Sequence, residues 1–292
     1  MKEKDLSSKR VIIISTLAIL FSTFFAIIIH AMLPVSLDVK QFNSIWVKWF
    51  GFPVISTFYF LFLFTHCVIM VRYIGLRVMA SQLQIGIRLG IVYAMMYILG
   101  MQEVIVKYSP FSRWNLEFVK YQFLIGIGDG IPALLLCLVI SYFTLNSHVQ
   151  VKEIKTLGLI KSIKIISITA IAFFIGRVIF YQIGLIDSEC AKYPIPCYVW
   201  TALFGILMGC IYVILYPLWS YGNALKLWSL PLRFALSVGL NWIIFNSFIG
   251  LIIKGTMFQM FLRSGLDILV LFLISMALGI NEVSSPHMIS RI

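Results

Sequence analysis

The sequence predicts an all-α integral membrane protein of about eight transmembrane helices, on three observations. Apolar residues make up 61% of the chain and charged residues only 12%, where a soluble domain carries about 25% charge. Eight apolar runs, at 11–33, 50–71, 84–101, 121–143, 160–184, 197–217, 231–253 and 258–279, have the length that roughly 20 residues per crossing requires. These runs and their connections use up the 292 residues, so a single polytopic membrane domain over 1–292 is expected, without a separate soluble domain.

Each run has its own justification. The first follows Lys9 and Arg10 in the order a signal peptide uses. It nevertheless extends from Val11 to Leu33 with no small-x-small cleavage pattern before Pro34, which predicts a retained helix. Trp46 and Trp49 precede the second run as interfacial anchors, and Arg72 and Arg77 follow it. The third takes Arg88 near its start and ends at Gln102 and Glu103. Trp114 and Tyr121 introduce the fourth, which contains Gly126-Ile-Gly128-Asp129-Gly130-Ile-Pro132. Lys161 and Lys164 lie at the start of the fifth, and Arg177 sits near its far end. Trp200 and Trp219 mark the sixth, Trp228 and Arg233 the beginning of the seventh, and Arg263 and Asp267 belong to the eighth.

A net charge of +12 would suggest nucleic acid in a soluble protein. In a membrane protein the basic residues report orientation instead, so the expected partner is the lipid bilayer and not nucleic acid. With the N-terminus cytoplasmic, 14 of the 23 Lys and Arg fall in cytoplasmic segments and 7 in outer ones, Arg177 and Arg263 lying within spans. The expectation is a multi-pass protein of the cell (plasma or inner) membrane with both termini cytoplasmic. Cys67, Cys137 and Cys210 fall inside spans, where a thiol behaves as a small hydrophobe. Cys190 and Cys197 bracket a short outer segment containing Pro194 and Pro196, which makes them the disulfide candidates if that side is oxidising.

The chain can be laid over itself as two parallel repeats of four helices, with halves 10–145 and 159–280. The run from Arg10 to Phe21 resembles the run from Ser162 to Phe173, Ile87-Arg88 resembles Leu232-Arg233, and Gly128-Asp129 matches Leu266-Asp267. Halves with an even number of spans share one orientation, as in some transporters.

Ionisable residues inside spans are the functional candidates, because a charge near the membrane centre costs at least about 2.5–3.5 kcal/mol. Asp129 and Asp267 stand at such depths. Pairing Arg88 with Asp129 and Arg233 with Asp267 would satisfy all four, and Arg263, four residues before Asp267, is a further candidate partner. Two readings stay open. In one these pairs are structural staples; in the other an aspartate lines a polar cavity and binds solute. Gly126, Gly128 and Gly130 with Pro132 either let the helix unwind around a cavity or let two helices approach closely. Arg177, with Gln182 and Glu103, suggests a polar pocket open to the outer side.

No G-x-x-x-x-G-K-[ST] loop or H-E-x-x-H pair occurs, and His66 is the one histidine well inside a span, so no cofactor is expected. Gly126-Ile-Gly128-Asp129 resembles the G-x-G-D motif of intramembrane aspartyl proteases. That resemblance implies a second membrane aspartate sharing catalysis, which in those families precedes the motif; here Asp267 follows it. The favoured expectation is a permease or flippase-like carrier of a small or amphipathic solute, not an enzyme. Its site would draw on Asp129, Gly128, Gly130, Arg88, Asp267, Arg233 and Arg177. The alternatives are a non-catalytic membrane subunit, sensor or immunity-type protein, in an oligomer or with a membrane partner, and an aspartyl protease.

Overall fold

The structure, a computed structural model, describes residues 8–33, 42–78, 80–105, 116–145, 156–219 and 229–283. Among these residues there are no strands, and eight helical stretches are long and apolar enough to cross a membrane. The chain is an all-α, multi-pass membrane protein. Of the expected anchors and orienting charges, Trp114, Trp228, Lys2, Lys4, Lys40, Lys107, Arg113, Lys152, Lys155, Lys226 and Arg291 lie outside the described residues.

In chain order the helices are α1 (Ser8–Met32), α2 (Ile45–Phe50), α3 (Phe52–Gly75), α4 (Gln82–Gly100), α5 (Leu116–Thr144), α6 (Leu159–Gln182), α7 (Pro194–Trp219), α8 (Ser229–Phe234), α9 (Leu240–Ile252) and α10 (Met257–Val283). A 3₁₀ turn, Met101–Ile105, prolongs α4, and a π-helical turn, Ala235–Gly239, joins α8 to α9 within one crossing. Eight crossings return the chain to the end of the bundle where α1 starts, called here the terminal end.

Local chemistry sets the helix starts. Ser44 caps α2, its Oγ accepting from Val47 N at 3.0 Å while donating to Leu251 O at 2.5 Å. Gly51, at φ +81°, turns the chain into α3, where Pro53 fits a first turn that needs no backbone donor. Ser81 and Gln84 form a reciprocal capping box on α4.

Small residues bring the helices together. A Cβ at Gly126 would stand 2.6 Å from Ile98 Cα, and one at Gly130 would stand 2.9 Å from Ile98 Cγ1, so both glycines seat α5 against α4. Gly205 and Gly209 do the same for α7 against α6, where a Cβ would lie 2.7 Å from Ala170 O and 2.8 Å from Ile166 Cα. In a bilayer such close backbone approach supplies the packing energy that apolar burial does not. Of the two readings of the glycines in α5, close packing holds and unwinding does not: α5 runs unbroken through Asp129 and Pro132. Gly126→Val is accordingly expected to lower the unfolding temperature of the detergent-purified protein and its membrane abundance. The blocking atoms are backbone, and overpacking costs about 1–3 kcal/mol. An unchanged melting curve would contradict the packing role.

At the terminal end, arginines hold backbone carbonyls near helix C-termini. Arg72 donates to Thr144 O at 3.0 Å and Arg233 to Trp219 O at 2.5 Å, each the last residue of its helix, and Arg88 donates to Ile214 O at 2.8 Å, in the last turns of α7. The expected pairs Arg88–Asp129 and Arg233–Asp267 therefore give way to backbone contacts. Both arginines enter from the terminal end, both aspartates lie toward the other, and carbonyls near the C-terminus of α7 are the nearer acceptors.

Candidate functional site

Three polar clusters occupy the bundle, and they differ in how completely their atoms are partnered.

The first is a four-charge cluster. Arg177 on α6 donates through Nε to Asp267 Oδ1 at 2.8 Å and through Nη2 to Asp267 Oδ2 at 2.6 Å. Its Nη1 donates to both oxygens of Glu103, at 3.0 and 2.9 Å. Arg263 on α10 donates to Glu103 Oε1 at 3.0 Å and to Asp187 O at 2.7 Å. The indoles of Trp200 and Trp242 complete the carboxylates, each at 2.9 Å, and the guanidinium of Arg177 lies 3.8 Å over the ring of Phe204. All four charged side chains are sealed at 3% exposure or less. Two cations and two anions cancel, and the cluster ties α4, α6, α7, α9 and α10 together. Arg263 thus serves Glu103 rather than its own-helix neighbour Asp267.

The polar pocket expected around Arg177, Gln182 and Glu103 divides accordingly. Arg177 and Glu103 are buried in each other, while Gln182 lines a separate cavity of about 320 Å³ beside Asp187 and Cys190. Cys190 and Cys197 are disulfide-bonded, with Cα atoms 5.2 Å apart.

The second cluster joins α3, α4 and α9. The π-helical turn offers Leu236 O to His66 Nε2 at 3.0 Å and Ser237 O to Tyr93 OH at 3.3 Å. Because Nε2 donates, Nδ1 is free to accept from Asn241 Nδ2 at 3.0 Å, and Asn241 Oδ1 accepts from Tyr97 OH at 2.8 Å. Every polar atom named here has a partner, which suits a structural network.

The third cluster is different. Asp129 on α5 meets His30 near the end of α1, with His30 Nε2 2.7 Å from Asp129 Oδ1. The carboxyl group is 1% exposed, and its Oδ2 has no hydrogen-bond partner among the described residues. Gly128 makes the meeting feasible: a Cβ there would lie 3.3 Å from His30 Nε2. Gly130, by contrast, faces Ala94 and Ile98 of α4.

His30 and Asp129 line a cavity of about 430 Å³ bounded by α1, α3, α5 and α9 toward the end away from the termini. The cavity wall is mainly apolar and aromatic, and two further polar atoms in it, Tyr59 OH and Ser56 Oγ, are buried without partners among the described residues. An apolar cavity of this size with a few convergent polar atoms is the usual form of a small-molecule site.

Of the residues read from the sequence, Asp129 lines this cavity and Gly128 leaves the room in which His30 meets it. Gly130 supports it through packing, Asp267 and Arg177 belong to the sealed cluster, and Arg88 and Arg233 lie at the terminal end. Sequence reasoning missed His30, Tyr59 and Ser56. The available signal was His30 at the outer end of the first span, where a histidine can face a carboxylate on a helix entering from the same side. No family model, curated protein or solved structure matches the chain.

Proposed function

We propose that this protein is a permease or flippase-like carrier of a small amphipathic solute, with its solute site in the cavity headed by Asp129. One observation carries this reading: a buried carboxyl oxygen without a partner among the described residues, at an apolar cavity inside a membrane-spanning bundle. An unsatisfied buried polar atom is costly, and a solute's polar head would satisfy it while the solute's body takes the apolar walls. The aspartyl-protease alternative draws less support. Two carboxyls must share a proton around one water, and Asp267 gives both its oxygens to Arg177 and Trp242.

We further infer that both termini are cytoplasmic, a reading supported by the basic-residue asymmetry and by a disulfide at the opposite end, where an oxidising compartment is needed. A membrane domain of two related halves is supported by matching neighbours. Contacts of α1 with α3 and α5 correspond to those of α6 with α7 and α10, and the contact of α3 with α9 corresponds to that of α7 with α4. Both halves also join their first and last helices through a basic residue and an aspartate, His30–Asp129 and Arg177–Asp267.

The test is transport in proteoliposomes. Vesicles holding the protein are expected to take up the fluorescent amphipathic cation ethidium, or to equilibrate a short-chain fluorescent phospholipid between leaflets, faster than protein-free vesicles. Equal rates with both probes would remove the carrier reading.

A further inference from the structure

The cavity's aromatic wall carries the chemistry further. Phe42 stacks on Phe52 at 4.7 Å between centroids, Phe52 meets Phe248 at 6.3 Å, Phe248 stacks on Tyr59 at 4.4 Å, and Tyr59 meets Phe60 at 5.1 Å. Phe60 in turn lies 5.6 Å from the His30 ring. All five rings line the cavity and form a continuous band leading to the His30–Asp129 pair. Aromatic faces attract cations through their ring quadrupoles and are the usual recognition surface for quaternary ammonium groups. A carboxyl at the end of such a band completes a cation site, whereas an anionic head would face Asp129 with no Lys or Arg among the described lining residues.

Among the described residues, the groups facing Asp129 are few. Besides His30 from α1, the titratable side chains lining the cavity are Tyr59 from α3 and Tyr121 from α5, while α9 contributes the apolar Phe248, Ile249 and Ile252. In a low-dielectric wall an isolated carboxylate is strongly disfavoured, so the empty site stays neutral by holding one proton on the pair. That proton sits either on the carboxyl or on the imidazole, and both arrangements have zero net charge.

Resting on the reading of this cavity as a carrier's solute site, we propose that its solute is an amphipathic organic cation and that each monovalent cation bound expels the one proton that Asp129 and His30 share. The exchange balances. The cation's charge replaces the proton's, Asp129 remains as the carboxylate partner of the bound head, and His30 remains neutral. Proton and solute thus occupy the same carboxyl by turns, which is the requirement for exchange of one against the other across a membrane.

The experiment uses the full chain in detergent and tetraphenylphosphonium as the probe, with triphenylphosphine oxide as its neutral counterpart. In weakly buffered solution near neutral pH, binding of the phosphonium is expected to release about one proton per cation. Its affinity is expected to rise about tenfold per pH unit while the empty site is protonated, as linkage requires. The neutral oxide is expected to release none. Asp129→Asn, checked for an unchanged melting curve, is expected to lose both the tight binding and its pH dependence. Phosphonium binding that depends on Asp129 but releases no proton at any pH overturns the exchange and leaves the cavity reading intact. Equal affinity for the neutral oxide overturns the cationic class. Binding unaltered by both Asp129→Asn and Phe248→Ala would show that the cavity is not the solute site and remove the reading beneath the proposal.

Discussion

Arg177→Met is expected to remove most of the folded protein from the membrane. The guanidinium spends its donors on two carboxylates, Glu103 and Asp267, at 2.6–3.0 Å in a sealed environment. Deleting it leaves two anions against Arg263 alone, and breaking a buried pair costs roughly 3–5 kcal/mol. Against a total stability of about 5–15 kcal/mol, that loss moves the folded-to-unfolded ratio by roughly two to four orders of magnitude. Arg177→Lys is expected to recover little, since an ammonium cannot fork between two carboxylates. Arg177→Met combined with Asp267→Asn restores neutrality around the Glu103–Arg263 pair, so the double variant is expected to be more abundant than the single one. Membrane abundance and melting temperature in detergent read the result. A single variant at wild-type level, or a double variant worse than the single, would contradict the account of the cluster as a neutral staple.

Asp129→Asn is expected to do the opposite, sparing the fold and abolishing transport. Asparagine preserves the shape against Gly128 and His30, and a neutral imidazole can hydrogen-bond an amide, so no buried charge is stranded. What disappears is the carboxylate. Truncating one partner of a buried, charge-assisted contact costs about 2 kcal/mol or more, which is about a 30-fold loss of affinity for a cationic head. Asp267→Asn supplies the contrast, because it leaves Arg177 half-compensated and is expected to lower abundance instead. The measurements are ethidium uptake per molecule of reconstituted protein and the melting curve of the same preparation. Full uptake by Asp129→Asn, or a fall explained by lost protein, would detach function from this cavity.

The spans, the helical class and the disulfide were legible in the sequence, and the reason is length and composition. Each apolar run must cover the bilayer, every backbone group must be bonded within its helix, and Cys190 and Cys197 are only 7 residues apart in the chain. The cost of Asp129 was legible too, since a membrane carboxyl is costly wherever it sits. Its partner was not. In a bilayer both the lipid-facing and the buried sides of a helix are apolar, so sequence periodicity does not say which face meets which neighbour. Arg88 and Arg233 look equivalent in sequence to any basic residue that could reach an aspartate, yet the fold sets them against the carbonyls of α7. The rotation of each helix, fixed by where Gly126, Gly130, Gly205 and Gly209 allow backbones to touch, decided that Arg177 would neutralise Asp267 while Asp129 kept an oxygen without a partner among the described residues, beside an aromatic cavity. Charge and span length were local properties that the amino acids determined alone; the division of two similar aspartates into a sealed ion pair and a cavity-lining carboxyl belongs to the helix packing, because it depends on which groups the packing brings within hydrogen-bonding distance.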